Sequence, residues 1–509
     1  MTSSTARSRS LFFWILTFYG AVFTIRVFWM SWTRLVHLET AKAAYFHYDL
    51  IDIRLWSKDP ALHKRWQARP PVAVVRRGGE VLTTIAAIRE LRLKYDPASG
   101  MWTGRWPCPW NAPEGTYSLE LLNSGDLARR MRRGTFRIER RRPHPLPKGF
   151  AALTLESVDP FKTMKVRAPS GEVKDWRGLI DWAEYIGADA LWVLGGQTPG
   201  EKPGQVWRTQ NLSMMAEIAR ECRRRRIKFG VYVMCYLTMS ADPLTHYEYA
   251  REVKDGRTYE TRAISLRDRR RIADVAQLLK RFRDIPEVDY LGIDYIRNAL
   301  GGYELAEDFY AEMPISPPKG WDKLSREQRM ISFAQKKIAR RDAGFIDAWQ
   351  WWRARRAAWL VRELKARLDW AKPLWAFTLT WDKGWHHGQD AVMFNDAGID
   401  AAALMLYEAD DEQFKLMIHD WNKYVKKKDA QLLVGDVIDW PLHQKHPDGP
   451  KAFYRRMVSA IDRIHSDGPA AGVFIHDLHR ALWGRRGPWT TKEWMDEAKR
   501  AIRYIKEKK

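Results

Sequence analysis

The sequence predicts an α/β protein whose main domain is a (β/α)8 barrel of the TIM type. Two features indicate this fold: eight apolar runs of strand length follow one another beyond residue 149, and helical stretches separate them. Near-continuous apolar strands are what a parallel sheet buried on both faces requires. A doubly wound open sheet is the alternative, but no G-x-G-x-x-G or G-x-x-x-x-G-K-[ST] motif follows any of the runs.

Residues 1–36 have the pattern of a membrane anchor. Two arginines precede the uncharged run Leu11–Ile25, and Arg26 is followed by the apolar stretch VFWMSW. A basic segment before an apolar run indicates a signal sequence or signal anchor, and no A-x-A-like cleavage site follows. Residues 11–32 are long enough to span a bilayer if Arg26 extends to the interface. We expect a transmembrane anchor helix with the barrel on the extracytoplasmic side, periplasmic or at the cell surface, or a secreted protein. The alternative is an amphipathic helix packed on the protein itself.

Residues 46–141 are predicted to form a small all-β sandwich. Turn signals (RRGGE, DPASG, NAPEG) separate the β-like runs DLIDIRLW, PVAVVRR, VLTTIAAIRELRLKY, MWTGRW, TYSLELL and GTFRIER. Strands of this length and spacing are typical of a sandwich. APEGTYSLEL resembles the closing strand of the immunoglobulin-like or fibronectin-like modules that accompany extracellular enzymes. The basic, proline-rich segment RRRPHPLPKG (140–149) is predicted to be a stiff hinge at the domain boundary.

The barrel is predicted over residues 149–509. Its strands are expected at FAALTLE (150–156), DALWVLGG (189–196), KFGVYVMCYL (228–237), DYLGIDYI (289–296), LWAFTLTW (374–381), AAALMLYE (401–408), AQLLVGDV (430–437) and AAGVFIHD (470–477). Helices are expected at 175–186, 212–226, 273–283 and 454–465, and TTKEWMDEAKRAIRYIKE closes the chain behind a threonine cap. The long insertion at 298–372 is predicted to begin as a lid or wall over the barrel mouth and to end in a long helix.

The composition is that of a globular protein with two departures. The formal net charge is +24, which favours an anionic neighbour, and there are 26 Trp, whose flat faces suit cores, membrane interfaces and sugar rings. The three cysteines have no zinc-site spacing and are expected to be core residues. The basic runs RRRR (223–226) and RDRRR (267–271) lie on predicted barrel helices, so we expect no nucleic-acid partner; nucleic-acid binding is the weakest interpretation.

Acidic side chains gather at the C-terminal ends of the predicted strands, where barrels of this type have their active sites. These ends carry Glu156; Gln197; Tyr236; Asp294, Tyr295 and Arg297; Trp381 and Asp382; Tyr407, Glu408 and Asp410; Asp436 and Asp439; His476 and Asp477. Facing carboxylates suit glycosidic bond cleavage, one as general acid and the other as nucleophile or as base for water. Tryptophans interleaved with them would offer stacking faces for sugar rings, although core packing is the better interpretation of any one of them.

Three motifs resemble a known family. GIDYIR (292–297) is similar to the LDYIR strand-4 signature of the glycosyl-hydrolase-like (β/α)8 barrel family of bacterial envelope proteins. AWQWWRARRAAWLVRELK (348–365) resembles that family's Trp–Arg helix before strand 5, and IDAAALMLYEAD (399–410) resembles its strand 6. The likeness covers residues 150–482. It departs from the family where NALGG follows the strand-4 arginine in place of an early proline, and where strand 6 ends in an acid after the tyrosine.

The resemblance implies that Asp294 is the first catalytic residue, acting as nucleophile or base and held by Tyr295 and Arg297. An Asp294–Arg297 ion pair that merely locks the strand end is the alternative. Glu408 is the preferred partner acid, because retaining enzymes of the α-galactosidase type use acids at the ends of strands 4 and 6, and Asp410 competes for this role. A carboxyl separation of about 5–5.5 Å would predict retention, and about 6.5–9.5 Å would predict inversion.

The other strand-end residues are expected to bind substrate. They are Glu156, Tyr236, Tyr295, Arg297, Trp381, Asp382, Tyr407, Asp436, His476 and Asp477, of which Asp382 also competes as an acid. No metal or other cofactor is expected, since strand 1 ends in TLES without an H-x-H and the pairs HQKH and HDLH stand in or near loops. The sequence therefore predicts a glycoside hydrolase acting on an envelope or extracellular polysaccharide, with an anionic one favoured by the charge. The alternative is a non-catalytic glycan-binding or scaffold protein of a cell-envelope assembly.

Overall fold

The structure is a computed structural model, and it describes most of the chain beyond residue 35. The described residues are 17–18, 36–83, 88–109, 111–122, 131–240, 244, 246–297, 301–338, 342–379, 388–406, 412, 415–416, 425, 429–440, 449–465 and 470–508. Apart from Thr17 and Phe18, the predicted anchor at 1–36 lies outside them, with Val36 beginning the first strand. Within this described part, no helix combines the length and the apolar character needed to cross a bilayer.

The chain divides into two compact units. The first consists of Met1–Tyr45, Asp49–Pro109 and Pro113–Glu139, and the second of Phe46–Tyr48, Trp110–Ala112 and Arg140–Lys509.

The first unit is built from two sheets. Its strands are β1 (Val36–Thr40), β2 (Ala44–Tyr45), β3 (Leu50–Ser57), β4 (Val72–Arg77), β5 (Glu80–Val81), β6 (Leu91–Arg92), β7 (Lys94–Asp96), β8 (Met101–Pro107), β9 (Gly115–Leu121), β10 (Met131–Arg133) and β11 (Thr135–Ile138). One sheet has the order β10-β1-β3-β8-β7, and the other has the order β2-β11-β9-β4-β5 with β6 paired to β4. Along β9 the residues Tyr117, Leu119 and Leu121 are buried and alternate with more exposed neighbours, so one face of this sheet is covered. The immunoglobulin-like topology stays a prediction.

A helix that the sequence analysis did not predict follows β3. Helix α1 (Pro60–Ala68) begins after Asp59, whose side chain accepts a hydrogen bond from the backbone N–H of Ala61 at 3.0 Å. Proline at the first helical position and aspartate before it are a standard start signal. Only Leu62 and Trp66 are buried on this helix, so its apolar face is too short to be recognised by periodicity.

The second unit contains the predicted barrel. Its strands are β12 (Phe150–Leu155), β13 (Val166–Arg167), β14 (Val173–Lys174), β15 (Ala190–Thr198), β16 (Lys228–Thr238), β17 (Tyr249–Lys254), β18 (Arg257–Ile264), β19 (Tyr290–Asp294), β20 (Leu374–Leu379), β21 (Ala401–Met405), β22 (Leu432–Val437) and β23 (Ala470–His476). Eight of them pair in parallel in the order β12-β15-β16-β19-β20-β21-β22-β23, and β23 pairs with β12 to close the ring. The closed eight-stranded parallel barrel is therefore confirmed, and all eight predicted strands are present.

Helices alternate with these strands. They are α2 (Arg177–Ile186), α3 (Leu212–Arg224), α4 (Arg269–Arg283), α5 (Ala306–Glu312), α6 (Arg326–Ile338), α7 (Ala343–Leu368), α8 (Ala391–Ala397), α9 (Pro450–Ala460), α10 (Leu478–Trp483) and α11 (Thr491–Glu507), with short 3-10 turns at Phe161–Thr163, Tyr303–Leu305 and Trp321–Lys323 and a π-helical turn at Ile461–His465. The threonine cap of the last helix is confirmed, because Thr490 and Glu493 form a reciprocal capping box.

The inside of the barrel is filled by aromatic side chains. Trp192 and Trp375 stack with ring centroids 3.9 Å apart and an interplanar angle of 13°. Glycines make room for them: a Cβ at Gly292 would lie 2.3 Å from the Trp375 ring, and one at Gly230 would lie 2.4 Å from Trp192. Because the interior is packed, chemistry is confined to the end of the barrel where the strands terminate.

Candidate active site at the mouth of the barrel

Four of the predicted site residues share the side of their strands that faces the barrel interior. Side chains alternate along a strand, so residues two apart point the same way. Phe150, Ala152, Tyr232, Met234, Tyr290 and Phe474 all belong to the interior core. An even number of residues further along the same four strands, and therefore on the same face, lie Glu156, Tyr236, Asp294 and His476. The geometry of the sheet therefore brings Glu156 and Asp294, from two different strands, toward one opening.

Glu156 lies at this opening in an unusual environment for a titratable group. Its side chain is 24% exposed, yet protein atoms surround the carboxyl group. Burial, followed by the charges of Asp477 and Asp294, raises the pKa of Glu156 to about 8, while Arg480 acts in the opposite direction. Glu156 therefore carries a proton over much of the neutral pH range, as a general acid must.

A buried hydrogen-bond chain lies behind Glu156. The Thr154 hydroxyl donates to the carbonyl oxygen of Ile475 at 3.2 Å, and the same oxygen is 3.0 Å from Nδ1 of His476. Nε2, the other ring nitrogen of His476, faces Glu156 and lies 3.6 Å from Oε2. Burial lowers the pKa of His476 well below its usual value, so the ring stays neutral.

Asp294 ends its strand directly before a residue with an unusual backbone conformation. Its carboxylate is only 4% exposed and accepts a hydrogen bond from the backbone N–H of Tyr295 at 2.6 Å. Tyr295 itself has φ of 52°, in the left-handed region that bulky residues rarely adopt, and its carbonyl accepts from the backbone N–H of Tyr236 at 3.1 Å. Such strained positions cluster at functional sites. The backbone at this strand end therefore indicates a candidate site independently of the sequence motif.

Arg297 does not pair with Asp294. Its guanidinium lies over the ring of Tyr295, 5.1 Å from the centroid, and no ion pair joins it to Asp294 within the described residues. The alternative in which the two residues form a locking ion pair is therefore not seen. Asp294 is positioned by the Tyr295 backbone instead.

Two other predicted substrate-binding residues are engaged in structural contacts. Asp436 lies on the face of β22 opposite to the core residues Leu433 and Val437. Its Oδ2 lies 2.9 Å from Nε of Arg456 on α9. Asp477 is fully buried; one oxygen accepts from the backbone N–H of Glu156 at 2.9 Å and the other from that of Arg480 at 2.8 Å. Asp477 thereby caps α10 and links the ends of β12 and β23.

The remaining predicted residues lie outside the described part of the chain. They are Trp381, Asp382, Tyr407, Glu408 and Asp410, which follow β20 and β21. Their roles stay predictions, and so do the separation of Asp294 from Glu408 and the stereochemical outcome. No group of three or more potential metal ligands occurs within the residues that the structure describes.

Glu304 is another buried acid, outside the set of predicted site residues. It lies in the turn Tyr303–Leu305 and is 2% exposed, and both carboxyl oxygens lack a hydrogen-bond partner among the described residues. Burial, followed by the charge of Glu252, raises the pKa of Glu304 to about 8. No sequence signal marks this residue, because its burial depends on the fold of the insertion.

The raised pKa of Glu304 predicts a pH-dependent stability. The folded state binds this proton up to about pH 8, whereas the unfolded chain releases it near its usual value of 4.5, so stability falls as the pH rises through this window. The stability gained by Glu304→Gln should therefore grow with pH, by at most about 1.4 kcal/mol per pH unit. Urea unfolding of both proteins across the window measures it. For Glu201→Gln, at an exposed position, the difference in free energy of unfolding from wild type should not change with pH. If the difference for Glu304→Gln does not change with pH either, the prediction is wrong.

Comparison with known proteins gives structural matches only. No family model matches the sequence, and no curated protein matches it. Similar solved structures include an endo-β-N-acetylglucosaminidase from Cordyceps militaris, with a TM-score of 0.36 and 10% identity over 70% of this chain and 92% of that chain. A GH113 β-1,4-mannanase has a TM-score of 0.40 and 11% identity over 71% of this chain and 99% of that one. A GH36 α-galactosidase from Geobacillus stearothermophilus has a TM-score of 0.37 and 10% identity over 92% of this chain and 55% of that one.

Proposed function

We propose that this protein is a glycoside hydrolase whose barrel mouth supplies a two-carboxyl mechanism. One observation carries the proposal: Glu156, with a pKa raised to about 8, shares the mouth with Asp294 on another strand, and the charge of Asp294 contributes to that rise. A carboxyl group that keeps its proton beside a second carboxyl group is the arrangement that glycosidic bond cleavage requires. The substrate we propose is an envelope or extracellular polysaccharide.

In the proposed reaction Glu156 is the general acid. Its O–H gives a proton to the glycosidic oxygen as the bond between that oxygen and the anomeric carbon breaks, and the departing sugar leaves as an alcohol. Asp294 either attacks the anomeric carbon or takes a proton from the water that does so. His476 lies behind Glu156 with its Nε2 3.6 Å from Oε2, and because burial lowers the pKa of His476 the neutral ring adds no positive charge that would draw the proton off the acid.

Glu408 and Asp410, the partner acids predicted from the sequence, remain alternatives for the role given to Glu156. They follow β21, and Asp382 follows β20. The proposal favours Glu156 among the described residues because its environment accounts physically for a carboxyl group that stays protonated at neutral pH.

The pH dependence of hydrolysis tests the role of Glu156. With wild-type protein, kcat should fall as the pH rises through about 8, since the acid loses its proton there. Glu156→Gln should lower the rate on the natural polysaccharide by roughly 10²–10⁴-fold and remove this alkaline limb. The rate of Glu156→Gln on an aryl glycoside, whose leaving group needs no protonation, should fall much less than its rate on the polysaccharide. An unchanged pH profile in Glu156→Gln would assign the acid to another residue.

The proposal as a whole is tested by a polysaccharide panel. Full-length wild-type protein should release new reducing ends from at least one polymer, and Glu156→Gln should not. Binding to a polymer that is never cleaved, with the same affinity in both proteins, would instead identify a non-catalytic glycan-binding protein.

A further inference from the structure

A cavity of about 400 Å³ adjoins the end of β19, beside the mouth of the barrel. One wall is the hairpin β17–β18, and the other is formed by Tyr236 and by Tyr295 and Arg297. Much of its lining is apolar or aromatic, and Tyr259 on the hairpin is 45% exposed toward solvent. A concave site with aromatic faces and a few charged groups is typical of ligand binding.

Arg297 is the unusual member of this lining. Within the described residues its guanidinium has no ion-pair partner, and its Nε is buried without a hydrogen-bond partner. Among the described residues, the guanidinium lies over the ring of Tyr295. A guanidinium whose donors lack acceptors in a largely apolar cavity has strong affinity for an anion, because the low local polarity strengthens the attraction.

Further charged groups lie behind the cavity. Arg353 is fully buried, and both Glu252 and Glu304 act on it electrostatically, as does the like charge of Arg297. Oε1 of Glu252 also accepts hydrogen bonds from the backbone N–H groups of Gly301 and Gly302, each at 2.8 Å.

Glu304 adds little negative charge beside these two guanidinium groups at neutral pH, because burial raises its pKa to about 8. The exposed part of the lining carries one charge of each sign, on Glu260 and Arg262.

We propose that this cavity is a subsite for a uronic acid residue of the polysaccharide, with Arg297 binding the sugar carboxylate and the rings of Tyr259 and Tyr295 flanking the pyranose. The planar guanidinium matches a carboxylate in a two-point hydrogen bond, and aromatic faces complement the apolar face of a sugar ring. This inference rests on the proposed function, since it places the subsite next to Asp294. It gives Arg297 the role of selecting the substrate.

Binding of matched oligosaccharides tests the subsite separately from catalysis. The probes are oligosaccharides of polygalacturonate, alginate and hyaluronan, each paired with its carboxyl-reduced neutral form. Titration calorimetry on full-length Asp294→Asn protein, which should bind without turnover, should show at least one acidic probe bound about 10- to 100-fold more tightly than its neutral partner. Arg297→Gln should abolish this preference.

Two variants control for charge and for folding. Arg257→Gln removes the same charge from an exposed position on the same hairpin and should keep the preference. Arg297→Lys keeps the positive charge but lacks the planar guanidinium, so this variant should retain only part of the preference for acidic probes. Its melting temperature should be unchanged. Equal binding of acidic and neutral probes, no binding of any acidic probe, or an equal loss in Arg257→Gln would overturn the inference.

The two proposals fail in different ways. Cleavage of a neutral polymer by the wild-type protein without any preference for acidic probes would leave the hydrolase standing and remove the subsite. An Arg297-dependent preference in a protein that cleaves nothing would keep the subsite and remove the hydrolase.

Discussion

Asp294→Asn will lower polysaccharide hydrolysis by roughly 10²–10⁴-fold, the usual range for a residue that takes part directly in acid–base or nucleophilic chemistry. The amide is isosteric with the carboxylate but has neither the charge nor the basicity needed to attack the anomeric carbon or to activate water. Its Oδ1 can still accept the hydrogen bond from the Tyr295 backbone, so the strand end should keep its conformation. Initial rates and thermal unfolding of the full-length protein measure the two effects.

Asp289→Asn is the matched control for Asp294→Asn. Asp289 immediately precedes the same strand at its opposite end, where it accepts a hydrogen bond from the backbone N–H of Phe229 at 3.0 Å and pairs with Lys228 at 2.9 Å. The control should keep its activity per folded molecule. If Asp294→Asn keeps full activity with a normal melting temperature, Asp294 has no part in the reaction; if both variants lose activity equally, the loss comes from the strand and not from the site.

Asp436→Ala is expected to have the largest effect on stability, a loss of about 3–5 kcal/mol in the free energy of unfolding. The change removes the Asp436 carboxylate from the guanidinium of Arg456, which is only 5% exposed. Removing one partner of a buried pair is costly, because the remaining charge stays out of water and loses the attraction of the opposite charge. Urea unfolding at neutral pH measures the difference.

The double variant Asp436→Ala/Arg456→Met shows whether the buried guanidinium that has lost Asp436 is the cause. Since an apolar side chain tolerates this environment, the double variant should recover most of the stability that the single variant loses. A stable Asp436→Ala protein that binds polysaccharide more weakly would favour the role predicted from the sequence, in which Asp436 contacts sugar hydroxyls.

The barrel could be predicted from the sequence because each of its strands is buried on both faces. A run such as FAALTLE has no polar interruption, and its burial in the structure is continuous. The hairpin β17–β18 was missed, since charged and polar residues interrupt both strands and most of β18 is not buried. A signal was present all the same: Asp255 and Gly256 at its turn have φ of 50° and 71°, and an Asp-Gly pair between two strand-like runs is typical of a hairpin.

The candidate site could be predicted in position but not in role. Asp294, Glu156 and His476 were recognised because they follow apolar runs, and strand ends converge in a barrel. The raised pKa of Glu156 depends on burial and on Asp477, which lies 321 residues away along the chain. The pairing of Asp436 with Arg456 was equally hidden, because it depends on how α9 packs against β22.

The stacked indoles of Trp192 and Trp375 limit how a long polymer could be handled. They plug the cylinder below the rim, so a glycan cannot thread through it from one end to the other. Any chain must arrive laterally, lie across the rim and depart on the same side, and its neighbouring sugars must then run over the surrounding loops.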